Sequence, residues 1–409
     1  MKGLIAALLR ASLPAFFLLL PVSVVPAQRQ PAQPPQPQHP QPPTLQTEKA
    51  LVQVFEAIEQ GKFDHALERV EALIKTNPNY RLAHLIRGDL LLARTRPITT
   101  FGNAGNVPRE KVEDLRAEAL SRLRAMRERP KVGQVPRYLL QFRPDQTHAL
   151  VVDSKRSRMY VFENDRGRPR FVADYYVTLG KRGIDKAREG DQKTPIGVYH
   201  VTANLPRRKL ADFYGSGAFP INYPNEWDKR HGRNGHGIWL HGTPSDTFAR
   251  PPRASDGCIV LSNVDLDFLA AELQVGLTSV IIADEIQWTD SAAQEEERKS
   301  LAHAIESWRA DWESLDTEKY LRHYSTKFQS ADQSYAQWAA RKRRVNGGKD
   351  WVKIGLTGVS MFRNPGKDDF VVVSFEQGYR SSNLSNSMRK RQYWMKEGAR
   401  WKIIYEGSA

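Results

Sequence analysis

The sequence predicts a multidomain chain with a helical N-terminal region, a mostly-β middle and an α+β C-terminal end. Three observations carry this reading. The 409 residues exceed what one hydrophobic core normally organises. The apolar period changes from about 3.6 to 2 near Gln146. Beyond residue 300 a helical stretch gives way to long alternating runs, the order of an α+β domain. With 40% apolar and 26% charged residues, the composition is that of a globular protein with enough to bury.

The start, Met1-Lys2-Gly3 through Arg10, is basic and acid-free. An apolar run from Ala11 to Val25 follows, interrupted by Pro14 and Pro21, and ends in the small-residue pattern Val25-Pro26-Ala27. This reads as a secretory signal over 1–27, cleaved after Ala27, with an uncleaved anchor as the alternative. After cleavage no transmembrane span is expected. Residues 28–44 are almost wholly Pro and Gln, a tether that cannot build a core.

Residues 45–130 read as helical. Gly61, Ala66, Leu67, Leu73, Pro78, Ala83 and Gly88 fall where tetratricopeptide (TPR) helices place small or breaking residues. Asn77-Pro78-Asn79-Tyr80 has the form of the inter-helix turn. One to one and a half TPR-like repeats are visible, short of the three that usually make a stable array. A short docking domain is therefore expected, with a plain helical hairpin as the alternative.

From Gln146 the chain alternates. Strands are expected at Ala149–Asp153, Arg158–Glu163, Phe171–Leu179, Gly197–Val201, Ile238–His241 and Thr278–Ala283. Alternation places His241 and Trp239 on one face, Ile238 and Leu240 on the other. Ser262 or Asn263 can cap a helix whose buried stripe is Leu266, Leu269, Ala270 and Leu273. These elements make a mostly-β domain over 146–287. Residues 291–300 read as a charged linker. The last domain, 298–409, begins with helical Leu301–Tyr324, then strands near Trp351–Met361, Asp369–Tyr379, Ser387–Lys396 and Trp401–Tyr405. The run Arg341-Lys342-Arg343-Arg344 beside Trp338 and Trp351 reads as a solvated turn, or else as a seat for an anionic polymer.

Lys and Arg exceed Asp and Glu by 15. From Arg298 onward, 21 basic residues face 12 acidic ones. Such a balance favours polyanions. The export signal discounts nucleic acid, so anionic wall polymers, headgroups or carboxylate-rich substrates fit better, with a generic basic surface as the alternative.

The sole cysteine, Cys258, has no partner in the chain for a disulfide. It stands in Ala254-Ser255-Asp256-Gly257-Cys258-Ile259-Val260-Leu261, seventeen residues after His241 in Gly237-Ile238-Trp239-Leu240-His241-Gly242-Thr243. A thiol and an imidazole on neighbouring segments are the minimal kit for nucleophilic cysteine catalysis; a small buried hydrophobe is the alternative. His241 can lower the thiol's effective pKa by taking its proton and can return that proton to a leaving amine. No Asp or Asn stands out as the orienter of the imidazole, whereas Gly242 would expose a carbonyl. Gly257 leaves its own amide and that of Cys258 able to face an oxyanion.

The ordered set Glu189-Gly190-Asp191-Gln192-Lys193-Thr194-Pro195-Ile196-Gly197-Val198-Tyr199, then Trp239–Thr243, then Ser255–Leu261 resembles the YkuD-type L,D-transpeptidase domain. The resemblance covers about Gln146 to Ala283. It implies Cys258 as nucleophile, His241 as general base and acid, and Gly242 as the residue whose carbonyl orients the base. It also implies attack on the L-centre carbonyl of the third stem-peptide residue of peptidoglycan, release of D-alanine and a thioester. An amine acceptor then gives a cross-link, and water gives L,D-carboxypeptidase trimming. The domain order resembles the subgroup of L,D-carboxypeptidases that set helical cell shape, whose C-terminal domain is a SnoaL-like cone. One departure stands out: the family's Ser-His-Gly-Cys followed by Arg two residues on has Asp256 for the His and Val260 for the Arg.

Trp239, His236, Ser255 and Asp256 are the candidate substrate-binding residues; Tyr223 and Trp227 either line the cleft or belong to the core. His231, His236 and His241 recur every five residues, but odd spacing on a strand turns neighbours to opposite faces, so no metal is expected. No cofactor is expected either. The partners expected are peptidoglycan stem peptides, with anionic wall polymers or other wall-remodelling proteins besides. Release of a wall-linked protein uses the same chemistry. A non-catalytic wall-binding scaffold is the rival from another class.

Overall fold

The computed structural model describes residues 41–98, 100–103, 107–330 and 333–409. The expected signal and most of the Pro/Gln tract lie outside the described residues. The chain divides into two compact units, the first running to Arg116 and the second starting at Ala117.

In the first unit three helices, α1 (Leu45–Glu59), α2 (Phe63–Thr76) and α3 (Arg81–Leu92), each bury one stripe at helical spacing. These stripes are Leu51, Val54, Phe55 and Ile58; Ala66, Leu67, Val70 and Leu73; and Leu82, Ala83, Ile86 and Leu90. Asn77 to Tyr80 link α2 to α3, closed by the Tyr80 amide donating to the Asn77 carbonyl at 3.0 Å. Helix α4 (Arg109–Arg127) follows.

The second unit opens with β1 (Gln134–Pro136) and β2 (Leu139–Gln141). Then come β3 (His148–Asp153), β4 (Arg158–Asp165), β5 (Arg168–Tyr176), β6 (Leu179–Gly180), β7 (Gly197–His200), β8 (Leu205–Pro206) and β9 (Gly217–Pro220). Helix α5 (Glu226–Arg230), β10 (Trp239–His241), β11 (Arg253–Ser255), β12 (Ile259–Val260), α6 (Asn263–Ala270), β13 (Ser279–Ala283) and β14 (Trp288–Asp290) complete this part. A five-stranded sheet has the order β5-β4-β3-β13-β7, and a four-stranded one β12-β10-β9-β8. The uninterrupted apolar run of β3 is buried on both faces, as a central strand requires. Leu150, Val152, Met159, Val161, Val280 and Ile282 share a core with Leu240, Ile259 and Leu266. On the other face Ala149, Val151, Tyr160, Phe162 and Ile281 meet Tyr138, Leu139 and Phe362.

The expected strand Phe171–Leu179 is two. Strand β5 ends at Tyr176, and Leu179–Gly180 pairs with β11 instead. Between them the Val177 amide turns to the Ser157 carbonyl and Thr178 bridges Val260, so the chain leaves one sheet for the neighbourhood of the other. The cap at Ser262 is as expected, its hydroxyl accepting from the Asp265 amide.

The C-terminal part contains α7 (Ser291–Glu313), α8 (Thr317–Leu321), β15 (Tyr324–Gln329), α9 (Tyr335–Asn346), β16 (Val352–Arg363), β17 (Phe370–Ser381), β18 (Leu384–Glu397) and β19 (Arg400–Ser408). The expected linker 291–300 is helix. Gln294, Leu301, Ile305, Trp308 and Trp312 are its buried stripe, and the charged residues that suggest a linker form its outer face, tied by the Glu295–Arg298 pair at 2.8 Å. The expected helix Leu301–Tyr324 breaks at Leu315, whose φ of 60° no helix continues through. The basic run Arg341–Arg344 is not a turn but lies on α9, started by a Ser334/Gln337 capping box. Its Lys342 ammonium sits 4.9 Å over the Trp312 ring and 5.1 Å over Trp338, while Arg343 pairs with Glu318 at 2.7 Å.

Strand β2, from before the catalytic part, is the sixth strand of the C-terminal sheet, order β15-β19-β18-β17-β16-β2. Trp227, a cleft candidate in the sequence, packs on that sheet, 4.4 Å from the Phe370 ring and 5.6 Å from Tyr393. Tyr223 is core. Among the described residues no helix is long and apolar enough to cross a membrane.

Trp227 therefore contributes to the joint between the catalytic and C-terminal parts. Trp227→Ala should destabilise the chain by about 2–3 kcal/mol, below the full cost of a core tryptophan because the ring is only partly covered. Denaturant unfolding measures this, and an unchanged midpoint would show that the stack carries no stability.

Candidate active site

Strand β10 lies between β9 and β12. It pairs antiparallel with β9, Leu240 opposite Phe219 and His241 opposite Ala218. It pairs parallel with β12, Leu240 with Ile259 and His241 with Val260. This parallel register brings Cys258, the residue before β12, beside Trp239, whose amide donates to the sulfur. Ile238 and Leu240 point into the core, and Trp239 and His241 share a neighbour, Tyr214, as alternation requires.

His241 is fully buried. Its Nδ1 lies 2.7 Å from the Gly242 carbonyl. A carbonyl only accepts, so Nδ1 carries the proton and Nε2 presents its lone pair. Among the described residues the buried Nε2 has no hydrogen-bond partner, a cost that points to a role in chemistry. Tyr214 meets the ring edge-on at 5.2 Å and Phe213 lies at 5.8 Å, both from the 3-10 turn Asp212–Tyr214. Burial pushes the imidazole pKa down to about 4, partly opposed by the Gly242 carbonyl and reinforced by Arg250.

Cys258 is half-buried. Its thiol donates to the Gly237 carbonyl at 3.3 Å. Burial raises the thiol pKa to about 11; the Trp239 amide opposes this and the Asp256 carboxylate adds to it. The expected lowering of the thiol pKa by His241 is thus not found at rest. Both partners are neutral, because desolvation penalises the thiolate and the imidazolium alike.

The turn before Cys258 is held from several sides. Gly257 has φ of +124°, and a Cβ there would come within 2.6 Å of the Lys193 carbonyl oxygen, so only glycine fits. Ser255 Oγ accepts the Gly257 amide at 3.2 Å and donates to the Cys258 carbonyl at 2.7 Å. Ser255 Oγ, a candidate for substrate, is thus bonded inside the turn, and the Gly257 amide, a candidate for the oxyanion, donates to it. The Cys258 amide is the remaining candidate for an oxyanion donor. Buried Thr194, not singled out in the sequence, donates its hydroxyl to the Gly257 carbonyl at 3.0 Å and accepts the Gly180 amide at 2.9 Å.

Gly242 is fixed by Asn263, against whose Oδ1 any Cβ would collide. Asn263 accepts the Ser216 amide at 3.0 Å and donates to the Thr243 carbonyl at 2.8 Å. Asp256 does not bond the turn's backbone; its carboxylate takes Gln192 Nε2 at 2.9 Å and Lys181 Nζ at 3.1 Å. His236 is exposed, with Glu189 at 3.6 Å. His231 bonds the Trp227 carbonyl, so each of the three evenly spaced histidines has its own surroundings. Val260 is buried, and the cation felt by both His241 and Cys258 is Arg250, whose guanidinium lies 4.6 Å over Phe213. Phe213, Tyr214, Thr194, Asn263 and Arg250 are the site's neighbours that the sequence did not reveal. The Asp212-Phe213-Tyr214-Gly215 cluster, two aromatics at a breaker, was the available signal.

Comparison with known proteins gives a consistent result. A family profile for the L,D-transpeptidase catalytic domain, YkuD, matches residues 147–282, and one for the Cds6 C-terminal NTF2-like domain matches residues 300–407. Among solved structures, Bd1075 of Bdellovibrio bacteriovorus is 30% identical with a TM-score of 0.59, over 68% of this chain and 98% of that one. The helical cell shape determining protein Pgp2 of Campylobacter jejuni is 25% identical with a TM-score of 0.58, over 66% and 95%. No curated protein sequence matches the chain.

The neutral pair fixes a pH dependence. With the imidazole at about 4 and the thiol at about 11, kcat/KM should be level from about pH 5 to pH 10. It should fall in acid as Nε2 takes up a proton. A narrow bell centred near pH 7 would show an ion pair instead. Alkylation of Cys258 should climb about tenfold per pH unit between pH 7 and 9, following the thiolate fraction. Asp256→Asn removes the like charge and should speed alkylation at pH 8 by up to about twofold; no change would mean that the sulfur does not feel Asp256.

Proposed function

The chain belongs to the YkuD L,D-transpeptidase family, in the subgroup with a C-terminal NTF2-like domain, and from that premise we propose that it is a peptidoglycan-remodelling cysteine acyltransferase. The observation that carries this reading is the orphaned, buried Nε2 of His241 beside a strand that delivers Cys258. The substrate supplies what the resting site lacks. As Sγ attacks the carbonyl at the L-centre of the third stem-peptide residue, Nε2 takes the thiol proton. The tetrahedral oxyanion is met by the Cys258 amide, and the Gly242 carbonyl steadies the imidazolium through Nδ1–H. Collapse breaks the amide bond; His241 returns the proton to the nitrogen of the departing D-alanine, leaving a thioester on Cys258. Trp239, His236 and Asp256 are the groups proposed to meet the stem peptide, and Arg250 supplies the positive charge that Val260 cannot.

Two acceptors can discharge the thioester, and Asp256 favours water. A carboxylate near the nucleophile stabilises an incoming ammonium in its charged, non-nucleophilic form, whereas water carries no such penalty. L,D-carboxypeptidase trimming is therefore the second reading, with the same residues. The proposed setting is the periplasm or cell envelope, reached through a signal over residues 1–27. The helical, TPR-like region would dock partners there, and the basic C-terminal domain would approach anionic wall polymers.

Purified protein incubated with tetrapeptide-stem muropeptides should release D-alanine. Tripeptide stems as product support trimming, and cross-linked dimers support transpeptidation. Cys258→Ala should reduce turnover by at least about a thousandfold and His241→Ala nearly as much, with the fold unchanged by circular dichroism. Activity of Cys258→Ala above about one per cent of wild type would remove covalent catalysis from the account.

A further inference from the structure

A cavity of about 40 Å³ lies between the edge of the five-stranded sheet and the outer face of the C-terminal sheet. None of the Cys258 site lines it. Arg143 enters from the segment between β2 and β3, and His200 from β7 of the catalytic part; from the C-terminal sheet come Ser360, Ser374, Arg389 and Arg391. A water needs about 10–15 Å³ of such space, so the cavity holds about three water-sized positions, the footprint of one small oxyanion.

The charge around it does not balance. Arg143 holds both nearby acids, Asp145 at 2.6 Å and Glu376 at 3.1 Å. Arg389 has Glu376 only at 4.0 Å; it donates from Nη2 to the Gly276 carbonyl at 3.3 Å, and its buried Nε has no hydrogen-bond acceptor among the described residues. Arg391, half-buried, makes no ion pair with any described carboxylate. Among the described residues three guanidiniums thus face two carboxylates, and a guanidinium cannot shed its proton to relieve the excess. His200 records that field: burial, then Arg391 and Arg389, push its pKa down to about 4, so it is a neutral donor or acceptor at pH 7. The hydroxyls of Ser360 and Ser374 add two more groups able to donate. Ser374 is the cross-strand partner of Arg391, so its side chain stands next to the guanidinium.

We propose that this cavity is an oxyanion site that takes one phosphate or carboxylate group and ties the catalytic part to the C-terminal domain. A forked guanidinium with hydroxyl neighbours is the chemistry such groups select. The site is independent of the reaction at Cys258.

The test is thermal unfolding of the full chain titrated with inorganic phosphate, acetate or glycerol phosphate, against chloride at matched ionic strength. The expected result is a saturable rise in midpoint with at least one oxyanion and none with chloride. Arg391→Gln should raise the half-saturating concentration at least tenfold. Ser374→Asp, which puts a carboxylate beside Arg391, should raise the midpoint without ligand and abolish the response. A response to acetate as strong as to phosphate assigns the site to carboxylates. A response to phosphate alone assigns it to the free ion, and one shared with glycerol phosphate to phosphate end groups. Midpoints that follow ionic strength alone, or a response that survives both substitutions, would overturn the proposal.

Discussion

The site rests on a parallel pairing only two residues long. Leu240–His241 beside Ile259–Val260 is the contact that turns two separate sequence motifs into one chemical unit. The Leu261 amide adds a bond to the His241 carbonyl at 2.9 Å. Because side chains alternate along a strand, a slip of one residue would send His241 into the core and Leu240 to the cleft. Burial of Ile238, Leu240, Ile259 and Leu261 in one cluster resists that slip. The hydrophobic core thereby sets the register of the candidate site.

What the core imposes it also charges for in electrostatics. Removing water from around Cys258 and His241 makes both charged forms unfavourable. At rest the thiol is bonded to a backbone carbonyl, and the imidazole on the neighbouring strand has an empty acceptor. Such a thiol is shielded from adventitious oxidation, which attacks thiolates. In the proposed reaction the substrate's carbonyl makes proton transfer and attack a single event. The aromatic walls from Phe213 and Tyr214 keep that event dry.

Local signals made part of this arrangement legible in the sequence. The thiol, the base and the carbonyl of Gly242 sit within short motifs, and the strands that carry them show their apolar alternation openly. The α6 cap at Ser262 is likewise a local rule. The supports of the site are contacts across long stretches of chain and leave no local trace: Thr194 reaches Gly257 over 63 residues and Asn263 reaches Ser216 over 47. The same limit hid β2, whose strand partner β16 lies more than two hundred residues away. Helix α9 escaped for another reason. Its four consecutive basic residues conceal an apolar stripe reduced to Trp338 and Ala339, and Lys342 covers aromatic rings with its long side chain. Ser255 meets the same limit: a hydroxyl in a motif looks the same whether it faces substrate or backbone, and this one bonds the turn.

The central claim is that Cys258 carries the acyl group. Mixing the protein with a tetrapeptide-stem muropeptide, quenching in acid on the timescale of one turnover and weighing the intact protein tests it directly. The account predicts a mass gain equal to the muropeptide less one D-alanine, mapped to the peptide containing Cys258 and released by neutral hydroxylamine as a thioester would be. Turnover of the muropeptide with no such adduct at any quench time, or an adduct on a different residue, would contradict it.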